Sequence, residues 1–392
     1  MSAARCRSWY PRPRRARRQV GSAKGRQGLF RVRRPAPDDQ HITKNSVNHT
    51  RQVNIGAKYI KLIAAYFCSL ACALAGPALA AQFGLDVRTS NSTCVAFPRP
   101  NTNASVNFVQ PYPQLSIPDM VALAMPPGDS SHWYYTTLHG LIGRFDNRPD
   151  VSSSQVLLDL TSRVQVPDNG GLLQLIFHPN FPTDRRVFVN YNRWGTSSLT
   201  WDTVISSFVL SANGTTIDPS TEKILVVQPR GQFHSGGTMF FGLDGLLYIG
   251  IGDGTEINGT DLDGTIPSQD LTALRGKLLR IDVDNVPVGQ PYAIPSDNPF
   301  AGNPRCNPVG NTQPCPEIYA SGLRNPFRGD VDLSRGDIWV GDVGFSSQEE
   351  VDKVAKAGNY GWPFEEGLLC NGGFPPFTFP ASVCNPLDLL PP

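Results

Sequence analysis

The 392-residue chain predicts an all-β fold of the propeller type. Three observations carry that reading. Apolar stretches of four to eight residues, rich in β-branched and aromatic side chains, recur from about Ser116 onward. Gly, Pro, Asn or Asp bounds each stretch, and no long segment shows the helical period of about 3.6 residues. Two segments, Gly242–Gly254 and Asp332–Gly344, repeat one order of features: a turn, an apolar strand and a Gly-Asp exit. Short strands between turns fit a sandwich, a barrel or a propeller. A repeated unit favours the propeller, because one blade cannot bury both of its faces alone.

In chain order, strands are expected at 132–138 (HWYYTTL), 154–160 (SQVLLDL), 186–192 (RVFVNYN), 203–210 (TVISSFVL), 223–228 (KILVVQ), 245–253 (GLLYIGIGD), 277–283 (KLLRIDV) and 337–344 (DIWVGDVG). A brief helix is expected over Ser347–Lys356. Ahead of the strands, residues 1–57 read as a basic disordered extension and 58–81 as a signal peptide. Residues 82–115, rich in Pro, Asn and Ser, read as a linker or N-terminal cap, and 116–392 as the propeller.

Charge separates the leader from the body. Residues 1–61 hold 16 Lys/Arg against Asp38 and Asp39; the remainder holds 19 basic and 31 acidic residues, a net charge of −12. An acidic body lacks the clustered Lys/Arg that nucleic-acid phosphates require. Lys58 and Lys61 precede an apolar run that closes on Ala78, Ala80 and Ala81, the pattern of a cleaved secretory signal. Gly76 and Pro77 interrupt that run, so no stable membrane span is expected after cleavage. Export makes the sequons at Asn91, Asn103, Asn213 and Asn258 meaningful. It also makes Cys306–Cys315 and Cys370–Cys384 expected local disulfides, with Cys94 left over.

Chemistry concentrates in two loops. His234 lies in QFHSGG, where small neighbours admit a substrate, and Asp253 ends the following hairpin. A strand out and back would set Asp253 beside His234, fixing the imidazole tautomer as a general base requires. An ordinary loop histidine beside a turn aspartate is the competing account. Arg324 and Asn325, in SGLRNPFRG, offer fork-like donors for an anionic or quinone oxygen; a loop arginine tying two blades together is the alternative. Glu349, Glu350, Asp352 and the turn Gly358–Pro363 form an oxygen-rich neighbourhood suited to calcium. His178, flanked by Phe177 and Pro179, reads as a packed structural residue satisfied by backbone. Asp261 and Asp263 imitate the start of a calcium loop, but no glutamate closes it, and they read as a turn.

Taken together, these segments make the chain similar to the glucose/sorbosone dehydrogenase family. That family includes soluble sugar dehydrogenases dependent on pyrroloquinoline quinone (PQQ) and the hedgehog-interacting-protein-like members of eukaryotes. The resemblance runs from about Leu115 to Gly367, through NGGLLQLIFHPNF, the HSGG loop, GLDGLLYIGIGDG, GKLLRIDVD, YAIPSDNPF, EIYASGLRNPFR and GDVGFSSQEEVDKVAKAGNYGWP. It implies a six-bladed β-propeller with its site at the mouth of the central channel. On the matching motifs, His234 resembles the base that takes the anomeric proton of an aldose sugar, and Asp253 its orienting partner. Hydride would pass to PQQ, and an external electron acceptor would take it onward. Arg324 and Asn325 correspond to cofactor-holding residues. The backbone oxygens of Gly344 and Phe345 match a turn that binds cofactor-bridging calcium, while Glu350 and the Tyr360 carbonyl match a structural calcium site. The chain departs from the family in three places. Asn169 stands where sugar-binding members carry glutamine, and Phe345 where a small residue or proline is usual. The chain also ends at Pro392, about 30 residues past GNYGWP, so the C-terminal blades are expected to be missing. A secreted oxidoreductase is the leading expectation. The alternative is a non-catalytic extracellular propeller that binds a protein or glycan; a propeller hydrolase lacks a nucleophile with an adjacent base.

Overall fold

Strand follows strand in four antiparallel meanders that make successive blades. The structure, a computed structural model, describes residues 107–371 apart from 167–168, 196–200, 232, 256–258, 262–263 and 308–310. Blade one holds β1 (Met120–Ala124), β2 (His132–Thr137), β3 (Leu141–Asp146) and β4 (Gln155–Asp159). Blade two holds β5 (Leu172–Phe177), β6 (Arg186–Trp194), β7 (Trp201–Leu210) and β8 (Ile217–Arg230). Blade three holds β9 (Met239–Phe241), β10 (Leu247–Ile251), β11 (Lys277–Ile281) and β12 (Ile318–Ser321). Blade four holds β13 (Pro326–Val331), β14 (Ile338–Asp342) and β15 (Glu350–Val354), and a hairpin of β16 (Glu365–Glu366) and β17 (Leu369–Cys370) follows. The first strands β1, β5, β9 and β13 neighbour one another in that order, as a propeller requires. Two further blades of a six-bladed ring are not among the described residues.

The cores lie between blades, where sheets pack face to face. Tyr134 and Ile142 of blade one meet Phe177, Val189 and Phe208 of blade two. Phe188 and Ile205 meet Ile249 and Leu279 of blade three, whose far face, with Tyr248 and Leu278, packs on Ile338, Val340 and Val354 of blade four. The chain before β1 covers the other face of blade one, setting Tyr112, Leu115 and Ile117 against Tyr135 and Phe145. Most of the segment 82–115 lies outside the described residues.

All eight expected strands fall on observed strands, and the repeated segments occupy equivalent places. Each is the turn from the first to the second strand of its blade, followed by the second strand. The helix expected over Ser347–Lys356 is replaced by β15, paired with β14. The physical reason is Asp352: it takes an inward position where a strand normally shows an apolar residue, which hides the alternation. Cys306 and Cys315 form the expected disulfide. Cys370 is disulfide-bonded, while Cys384 and Cys94, the leader and the sequons at Asn91, Asn103 and Asn258 lie outside the described residues. Among the described residues no helix is long and apolar enough to cross a membrane.

Arg328 ties the innermost strands together. Its Nη2 donates to the carbonyls of Val121 in β1 and Leu173 in β5, both at 3.2 Å, and Nη1 donates to Phe327 at 2.8 Å. Replacing it removes the shared donor of two other blades. Arg328→Met is expected to cost about 1–3 kcal/mol, read as a lower urea midpoint at unchanged slope. An unchanged midpoint would reject the bracing role.

Candidate functional site

An antiparallel meander puts the segment before its first strand and the exit of its second at the same end. Register confirms this: Met239 faces Ile249 in blade three, and Pro326 faces Asp342 in blade four. His234 and Asp253 thus share one end, and so do Arg324, Asn325 and Asp342. The two groups touch, since the Asp253 amide donates to the Arg324 carbonyl at 2.8 Å and the Gly236 amide to Asn325 Oδ1 at 2.9 Å. The sequence-predicted base, its partner and the Arg-Asn pair are therefore neighbours.

Asp253 is fully buried and accepts four hydrogen bonds. His234 Nδ1 lies 2.6 Å from Oδ1, which also takes the Thr255 amide at 3.0 Å; Oδ2 takes the Thr255 hydroxyl at 3.1 Å and the Trp362 indole N–H at 2.6 Å. Burial opposes the charge, but His234, the Thr255 amide and the indole outweigh it and hold the carboxyl below the usual aspartate range. An ionised Asp253 makes Nδ1 the protonated nitrogen and leaves Nε2 with its lone pair. Backbone geometry serves the same contact. His234 has φ 54°, a left-handed conformation that costs energy for a residue with a Cβ. Gly252 lets the chain close, for a Cβ there would lie 2.0 Å from the His234 carbonyl oxygen.

Arg324 is held between aromatic rings. Its guanidinium carbon sits 5.2 Å from the Trp362 ring centre and 5.8 Å from that of Phe345, and Nη1 donates to the Val343 carbonyl at 2.8 Å. Burial lowers its pKa, against the pull of Asp253 and Asp342. Arg324 Nε and the Ser235 hydroxyl, next to His234, are buried with no hydrogen-bond partner. Such atoms call for a ligand with acceptor oxygens, and a quinone cofactor fits that demand. Asn169 is exposed in the turn before β5; with Leu173, Asn325, Phe327 and Val343 it lines a cavity of about 360 Å3 whose wall does not include His234.

The segment expected to hold calcium is shaped by a residue that no sequence signal marked. Glu366 Oε1 accepts the amides of Phe345, Ser346, Ser347 and Gln348 at 2.7, 2.7, 2.8 and 3.2 Å. The loop carrying the Gly344 and Phe345 carbonyls is thereby fixed, and carbonyl oxygens are hard donors of the kind calcium takes. Glu350 and Tyr360 differ in setting. Glu350 accepts the Gly367 amide and lies beside Asp342 and Asp352, whereas Tyr360 packs in the core with its hydroxyl donating to Lys353 O at 2.9 Å. His178 is buried, as its structural reading expected, but Nε2 meets Asp284 at 3.1 Å, so a carboxylate as well as backbone satisfies it. Asp261 forms the expected turn with Gly264; Asp263 lies outside the described residues. Trp362, within the quoted GNYGWP run, and Asp342, at the repeated Gly-Asp exit, were legible as motifs but not as site residues.

Comparison with known proteins identifies the family. The profile of the family described as Glucose / Sorbosone dehydrogenase matches residues 131–372, more than half of the chain, and the chain belongs to that family. It is 32% identical to the HIPL1 protein of Arabidopsis thaliana over 265 residues, 56% of this chain and 36% of that protein. It is 33% identical to the hedgehog-interacting protein of Homo sapiens over 183 residues, 45% of this chain and 24% of that one. The chain thus spans well under half the length of these curated relatives. Among solved structures it shares the fold of the PQQ-bound aldose sugar dehydrogenase of Streptomyces coelicolor, with TM-score 0.50, 23% identity and 68% of each chain covered. The propellers it matches are six-bladed.

Removing the Glu366 carboxylate strands four amides. Glu366→Ala is expected to cost about 1.5–3 kcal/mol at neutral pH, measured by urea unfolding. Burial opposes the Glu366 charge, but the four amides hold its folded pKa below the unfolded value. Its contribution is therefore full above the ordinary glutamate range, about pH 4.3, and is lost as pH falls through the lower folded value. The gap between wild type and variant should narrow in acid; a gap independent of pH would rule the capping role out.

Proposed function

We propose that this member of the glucose/sorbosone dehydrogenase family is a secreted oxidoreductase that oxidises the anomeric hydroxyl of an aldose, with PQQ and calcium as cofactors. The observation that carries the reading is the relay of Trp362, Asp253 and His234 beside the unpartnered Arg324 Nε. Asp253 keeps the proton of His234 on Nδ1, so Nε2 is the atom that takes the hydroxyl proton of the sugar. Arg324 Nε offers a fixed donor to an oxygen that gains negative charge, without reorganisation at the moment of reaction. Asn169, exposed in a cavity wall, supplies a polar contact for a sugar hydroxyl, and Asn325 beside it helps Arg324 hold the cofactor. PQQ, when bound, supplies the hydride acceptor, and calcium held by the Gly344 and Phe345 carbonyls would polarise it. An external electron acceptor completes the cycle. The leader and its small-residue cleavage pattern support export.

A second reading is a non-catalytic extracellular propeller that binds a protein or glycan. Two observations favour it: the 33% identity to a protein named for interacting with hedgehog, and the Phe345 ring that covers one side of Arg324.

The two part experimentally. The full chain, incubated with calcium and PQQ, is expected to shift the quinone absorbance and to reduce an artificial acceptor when given aldoses. No absorbance change and no turnover across a sugar panel would transfer the protein to the binding class. His234→Ala should lower kcat by roughly 100-fold or more, the usual worth of general-base catalysis, while cofactor affinity stays as in wild type. Equal loss of both would reassign His234 to cofactor binding.

A further inference from the structure

Blade two carries a second cavity at the end where the site lies. Its entry segment marks that end, since Asn169, before β5, shares a cavity with Asn325, before β13. β6 and β7, nine and ten residues long, exceed the second and third strands of the other blades, and Trp194 and Trp201 face each other where they meet. β5 starts at Leu172, opposite Tyr191, so Arg193 and Trp194 run past the inner strand. The segment leaving blade one takes up that edge, its Gln165 amide donating to the Asn192 carbonyl at 2.8 Å. Arg163 and Gln165 of this segment, Tyr191, Arg193 and Trp194 of β6, and Glu222 of β8 line a cavity of about 420 Å3.

The lining has the chemistry of a sugar subsite. Trp194 is 55% exposed and stacks on Trp201, with ring centres 4.0 Å apart and planes at 20°. Such a cross-strand pair holds the indole in one orientation, as a flat partner for the C–H face of a pyranose. Glu222 is an anchored acceptor: Oε1 takes the Tyr191 and Ser206 hydroxyls, both at 2.9 Å, and Oε2 takes Arg163 Nη1 at 2.5 Å. Arg193 Nε donates to Asp202 at 3.2 Å. Each guanidinium is thus matched by a carboxylate, which leaves no uncompensated charge for an anion and keeps further N–H donors beside a fixed acceptor. The Gln165 side chain bonds no described residue and adds a donor and an acceptor. Hydroxyls that donate and accept at once match this set, whereas an apolar ligand would leave its polar groups unpaired.

We propose that this cavity binds one unit of a neutral oligosaccharide. It shares no lining residue with the His234 cluster or with the cavity at Asn169, so sugar binding here holds whether or not the chain oxidises sugars. The half-exposed Trp194 leaves the cavity open to solvent, and the bound unit can therefore carry neighbours along the chain.

The test uses the full chain without quinone. Titration calorimetry with maltohexaose, cellohexaose and N-acetylchitohexaose is expected to show binding of at least one of them. Trp194→Ala should weaken that binding by about tenfold, the worth of one aromatic contact, and Gln165→Ala should weaken it to a smaller extent. Should Trp194→Ala fail to fold, Gln165→Ala carries the readout, because it removes a side chain that bonds no described residue. Affinity unchanged in both variants hands the sugar to the His234 site and overturns the proposal. So does wild type that binds none of the three, or that binds an oligogalacturonate more tightly than the neutral probes. Sugar binding that depends on Trp194, in a protein without quinone-dependent turnover, would defeat the oxidoreductase reading and leave this one standing.

Discussion

The site depends on keeping one buried carboxylate ionised. Asp253 sits with no solvent contact, where a lone charge would be expelled or neutralised. Four donors from three places in the chain prevent that: His234 before β9, Thr255 just beyond Asp253, and Trp362 more than a hundred residues later. Each donor is fixed by the others' geometry, so the aspartate is an assembly point as much as an orienting group. Charge-assisted bonds of this kind are the stronger class of hydrogen bond. Neutralising Asp253 would free the imidazole tautomer, the Trp362 ring and, through that ring, the packing under Arg324.

The repeat explains why the same device occurs twice. Gly-Asp follows the second strand in blade three at Asp253 and closes it in blade four at Asp342. In each case the aspartate catches the segment that leads into the first strand of its own blade. Asp253 catches a side chain, His234, and Asp342 catches two backbone amides. One architectural slot thus orients an imidazole in one blade and braces a loop in the next. The two slots are joined by the bonds from the Asp253 amide to Arg324 O and from Gly236 to Asn325.

Sequence made the fold largely legible, because alternation and turn residues are local signals. All eight expected strands exist, and the Gly-Asp echo marked equivalent positions. β15 escaped because its inward residues include Glu350 and Asp352, acids where alternation leads one to expect hydrophobes. His234, Asp253 and Arg324 could be picked out because glycines and turn residues surround them. Glu366 could not: it lies in a two-residue strand, and its work, gathering four amides, is visible only once the chain has folded back on itself. Arg328 is similar, since its acceptors are 155 and 207 residues away along the chain.

Choosing between a redox centre and an inert scaffold turns on what the local geometry costs. A histidine at φ 54° and an arginine whose buried Nε lacks a partner each cost on the order of 1–3 kcal/mol. A surface that only docks a partner has no use for either, because affinity for a protein or glycan comes from exposed groups. His234 is instead buried and Arg324 half-buried, beside an ionised aspartate. Such expense is understandable where an imidazole must keep one nitrogen basic and a guanidinium must wait for an oxygen. Phe345 does not contradict this. It lies tilted against Trp362 beside the guanidinium and leaves Nε, the unpartnered atom, as the group still to be satisfied.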